Sequence, residues 1–201
     1  GGAATPREPV APLATVSPVA PDPGPPPVKA KPGDMAADGP IDAGPAVIRP
    51  DEVVPAFDVT SVGGEHFSSG DIVGQEPFIV VFFATWCPVC ELKMPIVERA
   101  FSQVLDPLGD AKPKVLLVSY DDEDSWDKVA GYLAHHQIEG SLIRAEENRA
   151  FARAYDPFNG FPLVLVVGRD GVIAELQMGS KPRHEAALVD VLRAVTAPAS
   201  D

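Results

Sequence analysis

The sequence of 201 residues has few cysteines, few cations and no long apolar run. Two cysteines are too few to stabilise a small disulfide-rich scaffold, and they cannot form a four-thiolate zinc site by themselves. Lysine and arginine number 16 against 29 aspartates and glutamates, which gives a formal net charge of −13. Such an excess of negative charge repels the phosphates of nucleic acids, so we expect no nucleic-acid partner. No segment approaches the roughly 18 apolar residues of a membrane-spanning helix.

The first fifty residues contain no aromatic side chain. All 14 Phe, Tyr and Trp residues follow residue 50, whereas 13 of the 23 prolines precede residue 51. A segment without aromatic rings or periodicity cannot bury enough apolar surface to offset the entropy of ordering, and its proline runs favour extended polyproline II. We therefore predict a disordered Pro/Ala/Gly-rich spacer at 1–50 and a folded domain at 51–201, and we expect a monomer.

The start of the chain shows no signal peptide, because it lacks a basic segment followed by an apolar core and a cleavage site. One interpretation is a cytosolic protein with an unusual tail. The other is an envelope protein in which an export signal or membrane anchor preceded Gly1, with the spacer acting as a tether. We favour the second interpretation, mainly because of the resemblance described below.

Strand patterns alternate with helical patterns after residue 55. Three continuous apolar runs predict buried strands of a largely parallel sheet: 78–83, 115–118 and 163–167. Four stretches carry apolar residues at helical spacing: 97–108, 126–133, 146–155 and 182–195. The glycines of 168–171 predict a hairpin into an antiparallel strand at 172–177, and two short strands are predicted near 57–60 and 66–67. This order predicts an α/β fold with a mixed central sheet flanked by helices.

A Cys-x-x-Cys pair directly follows the first buried run. Cys87 and Cys90 are one helical turn apart at a predicted helix start, within reach of a disulfide. The helix N-terminus stabilises a thiolate, so we predict that Cys87 is the exposed nucleophile and Cys90 the buried resolving thiol. Pro88 suits the first helical position, where its missing N–H has no intrahelical partner.

Two other interpretations of this pair stay open but are less favoured. A metal site would need further ligands, and the four histidines show no His-x3-His spacing. A structural disulfide that closes a two-residue loop would restrain little of the unfolded chain's entropy. We therefore interpret the pair as redox-active, and we expect no metal and no cofactor.

The stretch from Phe82 to Cys90, followed by Met94-Pro95, resembles the active site of thioredoxin-fold proteins. It is most similar to the TlpA/ResA-like thiol–disulfide oxidoreductases of bacterial envelopes, and the likeness extends over about 55–195. It includes an N-terminal β-hairpin before the first run and a Gly-x-Pro at 160–162 before a late strand. The resemblance implies a thioredoxin fold with an N-terminal hairpin extension, and a periplasmic or envelope location.

The resemblance also implies roles for residues around the cysteines. Pro162 would be the cis-proline packed against the disulfide, and Phe161 would offer backbone groups to an extended substrate. Trp86 would shield the sulfurs, and Pro95 would kink the first helix. The partners would be protein thiols or disulfides together with an upstream redox partner.

The sequence departs from the family in its acidic residues. A Glu usually stands three residues after the second cysteine, and here that position is Lys93. Because a nearby cation favours a thiolate, we hypothesise that Lys93 makes the couple more oxidising. The alternative is that Lys93 is solvated on the helix surface. The proton acceptor for Cys90 is unassigned, with water, Glu91 and Lys93 as candidates.

Two polar clusters favour ordinary structural roles. The acidic run 121–124 lacks the pattern of a calcium loop, and we predict a solvated loop that ends in a helix N-cap. His135 and His136 are predicted in the last turn of a helix, where cations complement the helix dipole.

Three function classes remain. We favour a protein-disulfide oxidoreductase that works through a mixed disulfide at Cys87. A peroxiredoxin-like thiol peroxidase would commonly need a Thr-x-x-Cys and a nearby Arg, whereas Thr85 stands too close to Cys87 and no Arg is near it in sequence. The third class is a redox-inert binding module on the same fold.

Overall fold

A computed structural model describes Gly1 and residues 48–198. The predicted spacer at 1–50 lies almost entirely outside these described residues, so its disorder stays a prediction. Ile48 is buried in the core, slightly ahead of the predicted start of the domain at residue 51. Among the described residues, no helix is both long and apolar enough to cross a membrane.

A five-stranded mixed sheet forms the centre of the domain, in the order β5-β4-β3-β6-β7. Its strands are β3 (Phe78–Phe83), β4 (Lys114–Ser119), β5 (Ser141–Arg144), β6 (Leu163–Val167) and β7 (Ile173–Met178). Strands β3, β4 and β5 are parallel, whereas β6 runs antiparallel to β3 and to β7. The predicted fold class is therefore confirmed. The run at 163–167 is buried as expected but antiparallel to β3, because continuous apolarity reports burial rather than strand direction.

A small hairpin precedes the sheet. It pairs β1 (Asp58–Thr60) with β2 (His66–Ser68) in antiparallel register, as predicted. A four-residue helix, α1 (Ser69–Ile72), follows and was not predicted, since one helical turn carries no measurable periodicity. The Ser68 side chain caps α1 by accepting a hydrogen bond from the Asp71 N–H.

Four longer helices flank the sheet within residues 48–198; the first three connect successive strands and the last follows β7. They are α2 (Pro88–Val104), α3 (Val129–His135), α4 (Arg149–Tyr155) and α5 (His184–Thr196). One 3-10 segment, Asp106–Ala111, follows α2, and a second, Trp126–Lys128, directly precedes α3. All four α-helices correspond to predicted helices. The hairpin between β6 and β7 is also present, and Gly171 adopts a φ of 78° there, a conformation that favours glycine.

The sheet separates two apolar cores, because side chains alternate along each strand. Ile79, Val81 and Phe83 of β3 face a core with α2, α3 and α5, which we call the site face. Phe78, Val80 and Phe82 face a second core with the β1–β2 hairpin, α1 and α4, which we call the hairpin face. Both cysteines belong to the site face.

Candidate active site

The cysteine pair lies where β3 passes into α2. Cys87 is the N-cap of α2, and its Sγ accepts a hydrogen bond from the Cys90 N–H at 3.2 Å. Pro88 occupies the first turn, as predicted. Both cysteines are free thiols. The sulfur of Cys87 therefore takes the place of the oxygen that usually caps a helix, and it lies against the positive end of the helix dipole.

The two thiols differ in their access to solvent. Cys87 is 6% exposed and Cys90 is fully buried. The prediction of an exposed Cys87 is therefore wrong in degree, because its side chain packs into the site-face core and only a small part reaches solvent. Burial, followed by the hydrogen bond to Cys87, raises the pKa of Cys90 far above its ordinary value, and the negative charge of Glu91 adds to the shift. A resolving thiol with these properties needs a proton acceptor before it can attack.

Asp121 fixes the loop in front of Cys87. Its carboxylate accepts hydrogen bonds from the Thr85 N–H at 2.9 Å, the Thr85 hydroxyl at 2.5 Å and the Ser119 hydroxyl at 2.8 Å. The prediction that Asp121 lies in a solvated loop is wrong, since the residue is 5% exposed. The sequence does not single out Asp121, because its acidic neighbours make the whole run resemble a surface loop.

Aromatic residues border the cysteines on the β6 side. The Phe161–Pro162 peptide bond is cis, as the resemblance implied. The ring of Phe161 stacks on Tyr120 with centroids 4.8 Å apart. Trp86 meets Phe161 edge-on at 5.4 Å and is 58% exposed, so its ring packs against Phe161 while much of it faces solvent.

Lys93 is fully buried, which excludes the solvated alternative. Its Nζ donates to Gln177 Oε1 at 2.5 Å and lies 3.0 Å from His184 Nδ1. Burial lowers the pKa of Lys93 to about 8, although the charge of Glu175 opposes the shift. Burial and the Lys93 charge also lower the pKa of His184. The hypothesised effect of Lys93 on the redox couple stays a prediction.

Four large apolar side chains next to the cysteines in sequence or shortly before the cis-proline are well exposed: Trp86, Val89, Leu92 and Phe158. We call these four residues the apolar rim. Pro95 lies within the continuous α2 helix. Within residues 48–198, no three His, Cys, Asp or Glu side chains converge as a metal centre would require.

The fold and the site together define a thioredoxin-fold domain with a free Cys-x-x-Cys pair at a helix N-terminus. Residues 49–192 match the family model described as Redoxin, and the chain belongs to that family. The predicted resemblance to TlpA-like proteins of the thioredoxin superfamily is confirmed at the level of family and fold.

Relatives and solved structures agree with this assignment. The chain is 22% identical over 139 residues to the thioredoxin-like protein YneN of Bacillus subtilis, covering 69% of this chain and 76% of the relative. It is similar in fold to a thiol:disulfide interchange protein of Chlorobium tepidum, with 24% identity, a TM-score of 0.54, and 76% and 100% of the two chains covered. A secreted Mycobacterium tuberculosis disulfide oxidoreductase homologous to E. coli DsbE matches with 15% identity, a TM-score of 0.53, and 69% and 95% covered.

Proposed function

We propose that this domain exchanges the Cys87–Cys90 dithiol or disulfide with cysteine pairs of protein substrates through a mixed disulfide at Cys87. One observation carries the proposal: the Cys87 sulfur caps α2 and the residue retains a small exposed area, whereas Cys90 is fully buried. Only Cys87 can meet an external disulfide without rearrangement, and only Cys90 is placed to release the adduct.

In the reducing direction the Cys87 thiolate attacks one sulfur of a substrate disulfide. The substrate bond breaks, a Cys87–substrate disulfide forms, and the other substrate sulfur leaves as a thiolate. Cys90, as a thiolate, then attacks Cys87 Sγ and displaces the second substrate sulfur with its electron pair. Two electrons thus pass from the dithiol to the substrate, and the reverse sequence oxidises a substrate dithiol.

The surroundings of Cys87 favour a polypeptide as the substrate. The apolar rim, of which Trp86 and Val89 are close to Cys87 in sequence, offers exposed apolar contact area to another protein, which is typical of transient protein recognition. In this proposal Phe161 and Pro162 hold an extended substrate segment beside the sulfur, and Trp86 covers it.

We further propose that the domain works as a monomer outside the cytoplasm, with the spacer at 1–50 as a tether to a membrane anchor. One of the similar structures is described as secreted, and stable disulfide substrates are common in oxidising compartments. Each turnover leaves the pair in the opposite redox state, so an upstream redox partner is needed to restore it.

Two assays test the proposed function. Wild-type protein should accelerate the reduction of insulin by dithiothreitol, whereas Cys87→Ser should not. Cys90→Ser should retain a covalent adduct with a disulfide-containing protein, and dithiothreitol should release that adduct. Turnover of hydrogen peroxide without insulin reduction would favour the peroxidase alternative, and inactivity in both assays would favour a binding module.

A further inference from the structure

Two buried polar atoms near the cysteines lack a hydrogen-bond partner. Among the described residues they are Tyr132 Oη and His136 Nε2, and both lie at the C-terminal end of α3. Leaving a buried polar group unpaired destabilises the folded state, so such atoms in a native fold call for an explanation. Their concentration beside one functional site suggests a polar function there rather than a packing defect.

Both atoms lie on the side of α3 that faces Glu91, the residue next to Cys90. His136 Nε2 is 3.6 Å from Glu91 Oε2, slightly beyond hydrogen-bond distance. His136 is 4% exposed, whereas about half of the Glu91 side chain is exposed. A shift of less than 1 Å would close this contact. The pair therefore connects a buried imidazole with a carboxylate that reaches solvent.

Tyr132 completes the arrangement. Its ring stacks on Phe83 with centroids 5.8 Å apart and meets the His136 ring edge-on at 4.7 Å. Burial raises the pKa of Tyr132, and the charges of Glu91, Cys90, Cys87 and Asp121 raise it further. The phenol is thus a neutral group within electrostatic reach of both sulfurs, and its ring contacts that of His136.

Two other buried ionisable side chains, those of Asp121 and Lys93, already have hydrogen-bond partners. The Asp121 carboxylate accepts three hydrogen bonds, from Thr85 and Ser119. The Lys93 amine contacts Gln177 and His184. Neither group resembles the pair formed by His136 and Glu91, in which an imidazole nitrogen without a hydrogen-bond partner lies next to a carboxylate that reaches solvent.

We propose that Glu91 and His136 act as one proton-accepting pair for Cys90 in the resolving step. This inference rests on the proposed function. The Cys90 thiol gives its proton to the pair, and the resulting thiolate attacks Cys87 Sγ in the mixed disulfide. The substrate sulfur leaves with the electron pair of the broken bond. The pair then releases the proton to solvent through the exposed Glu91 carboxylate.

A purely electrostatic role for Glu91 predicts the opposite effect of mutation. The negative charge of Glu91 raises the pKa of Cys90. If charge were its only contribution, Glu91→Gln would yield more Cys90 thiolate and faster resolution. A proton acceptor, in contrast, is lost in Glu91→Gln, and resolution becomes slower. The sign of the change therefore separates the two roles.

The experiment follows the reaction of the reduced full chain with 5,5′-dithiobis(2-nitrobenzoic acid) by stopped flow. The first thionitrobenzoate is released when Cys87 attacks the reagent, and the second when Cys90 resolves the adduct. We expect Glu91→Gln and His136→Gln each to slow the second phase about tenfold or more and to leave the first phase within about twofold. The double variant should be no slower than the slower single variant, because the two residues act as a unit.

Two substitutions serve as matched controls. Glu98→Gln removes the same charge from the same helix, and His135→Gln changes the exposed neighbour of His136. Both should retain the wild-type second phase. A second phase that is unchanged or faster in Glu91→Gln, with a normal first phase, overturns the pair. Failure of wild type to release any thionitrobenzoate would instead overturn the proposed function. If His136→Gln does not fold, the sign of the Glu91→Gln effect on the second phase still distinguishes a proton-accepting role of Glu91 from a purely electrostatic one.

Discussion

The two faces of the sheet are filled in different ways. The hairpin face holds a cluster of aromatic rings in which Phe57 contacts Phe78, Phe151 and Tyr155. The Tyr155 hydroxyl donates to the Pro55 carbonyl at 2.7 Å, so this large buried polar group is satisfied. The site face instead buries an amine, an imidazole and two thiols beneath α2, α3 and α5.

This difference shows how one small domain separates stability from chemistry. Aromatic burial on the hairpin face contributes stability without titratable groups that the reaction uses. The site face retains polar groups whose burial is costly, and burial there raises the pKa of Cys90 and lowers the pKa of Lys93. Substitutions on the two faces should therefore affect different measurements.

The largest effect is expected for Cys87→Ser. Exchange with insulin should fall at least a thousandfold, because the nucleophilic sulfur is absent. The free energy of unfolding should change by less than about 1 kcal/mol, because serine is a preferred N-cap residue and its hydroxyl can accept the hydrogen bond from the Cys90 N–H. Urea unfolding and the insulin assay measure the two quantities. A destabilisation of several kcal/mol would show that the sulfur is a structural element.

Phe57→Ala should produce the reverse pattern. Loss of a buried ring from the hairpin face should lower the free energy of unfolding by about 3–5 kcal/mol. The rate of thionitrobenzoate release by the folded fraction should not change. Phe158→Ala is the matched control, since the exposed ring of Phe158 belongs to the rim. Phe158→Ala should retain full stability and weaken insulin reduction. Equal losses of stability in Phe57→Ala and Phe158→Ala would contradict the proposed difference between the buried hairpin face and the exposed rim.

Asp121→Ala should affect both measurements, because Asp121 connects the sheet with the loop before Cys87. Removing its carboxylate leaves the Thr85 N–H without its partner, and we expect a loss of about 2–3 kcal/mol. The first phase of thionitrobenzoate release should also slow, since Thr85 no longer holds the loop. Asp124→Ala, an exposed change in the same run, should stay within about 0.5 kcal/mol of wild type.

The smallest effect concerns the pH dependence that arises from Lys93. The folded domain lowers the pKa of Lys93 from 10.5 to about 8. Between these values the unfolded chain binds more protons than the folded chain, so stability rises with pH. From about pH 7.5 to about pH 9.5, wild type should gain about 1–2 kcal/mol relative to Lys93→Met.

Urea unfolding at both pH values tests this prediction, and the comparison with Lys93→Met cancels the titration of other groups. Parallel pH profiles for the two proteins would show that Lys93 keeps an ordinary pKa in the folded domain. A relative loss of stability at high pH would show that its charge is stabilised there.

The elements that can be predicted from the sequence are those with strong local signals. The apolar runs of β3, β4 and β6 and the Cys-x-x-Cys pair are each contained in one short stretch. Strand β5 was missed, because a short edge strand with a single buried residue lacks a continuous apolar run. Resemblance, rather than composition, supplied the cis bond before Pro162.

The partners in the candidate site could not be found by local reasoning, because they are far apart in the sequence. Thr85 and Asp121 are 36 positions apart, and Lys93 and Gln177 are 84 apart. The parallel pairing of β3 with β4 brings Thr85 to Asp121, and the approach of α2 to β7 brings Lys93 to Gln177. A lysine three residues after Cys90 therefore gave no sign of whether it would lie in solvent or in the core.

The hydrogen bond from the Cys90 amide to the Cys87 sulfur gives the domain an internal spectroscopic reporter. A thiolate is a stronger acceptor than a thiol or a disulfide sulfur, so the amide proton responds whenever the sulfur changes its bonding. The Cys90 resonance in an amide NMR spectrum should therefore distinguish the thiol, thiolate and mixed-disulfide forms. No dye or introduced label is needed to follow the domain through its cycle.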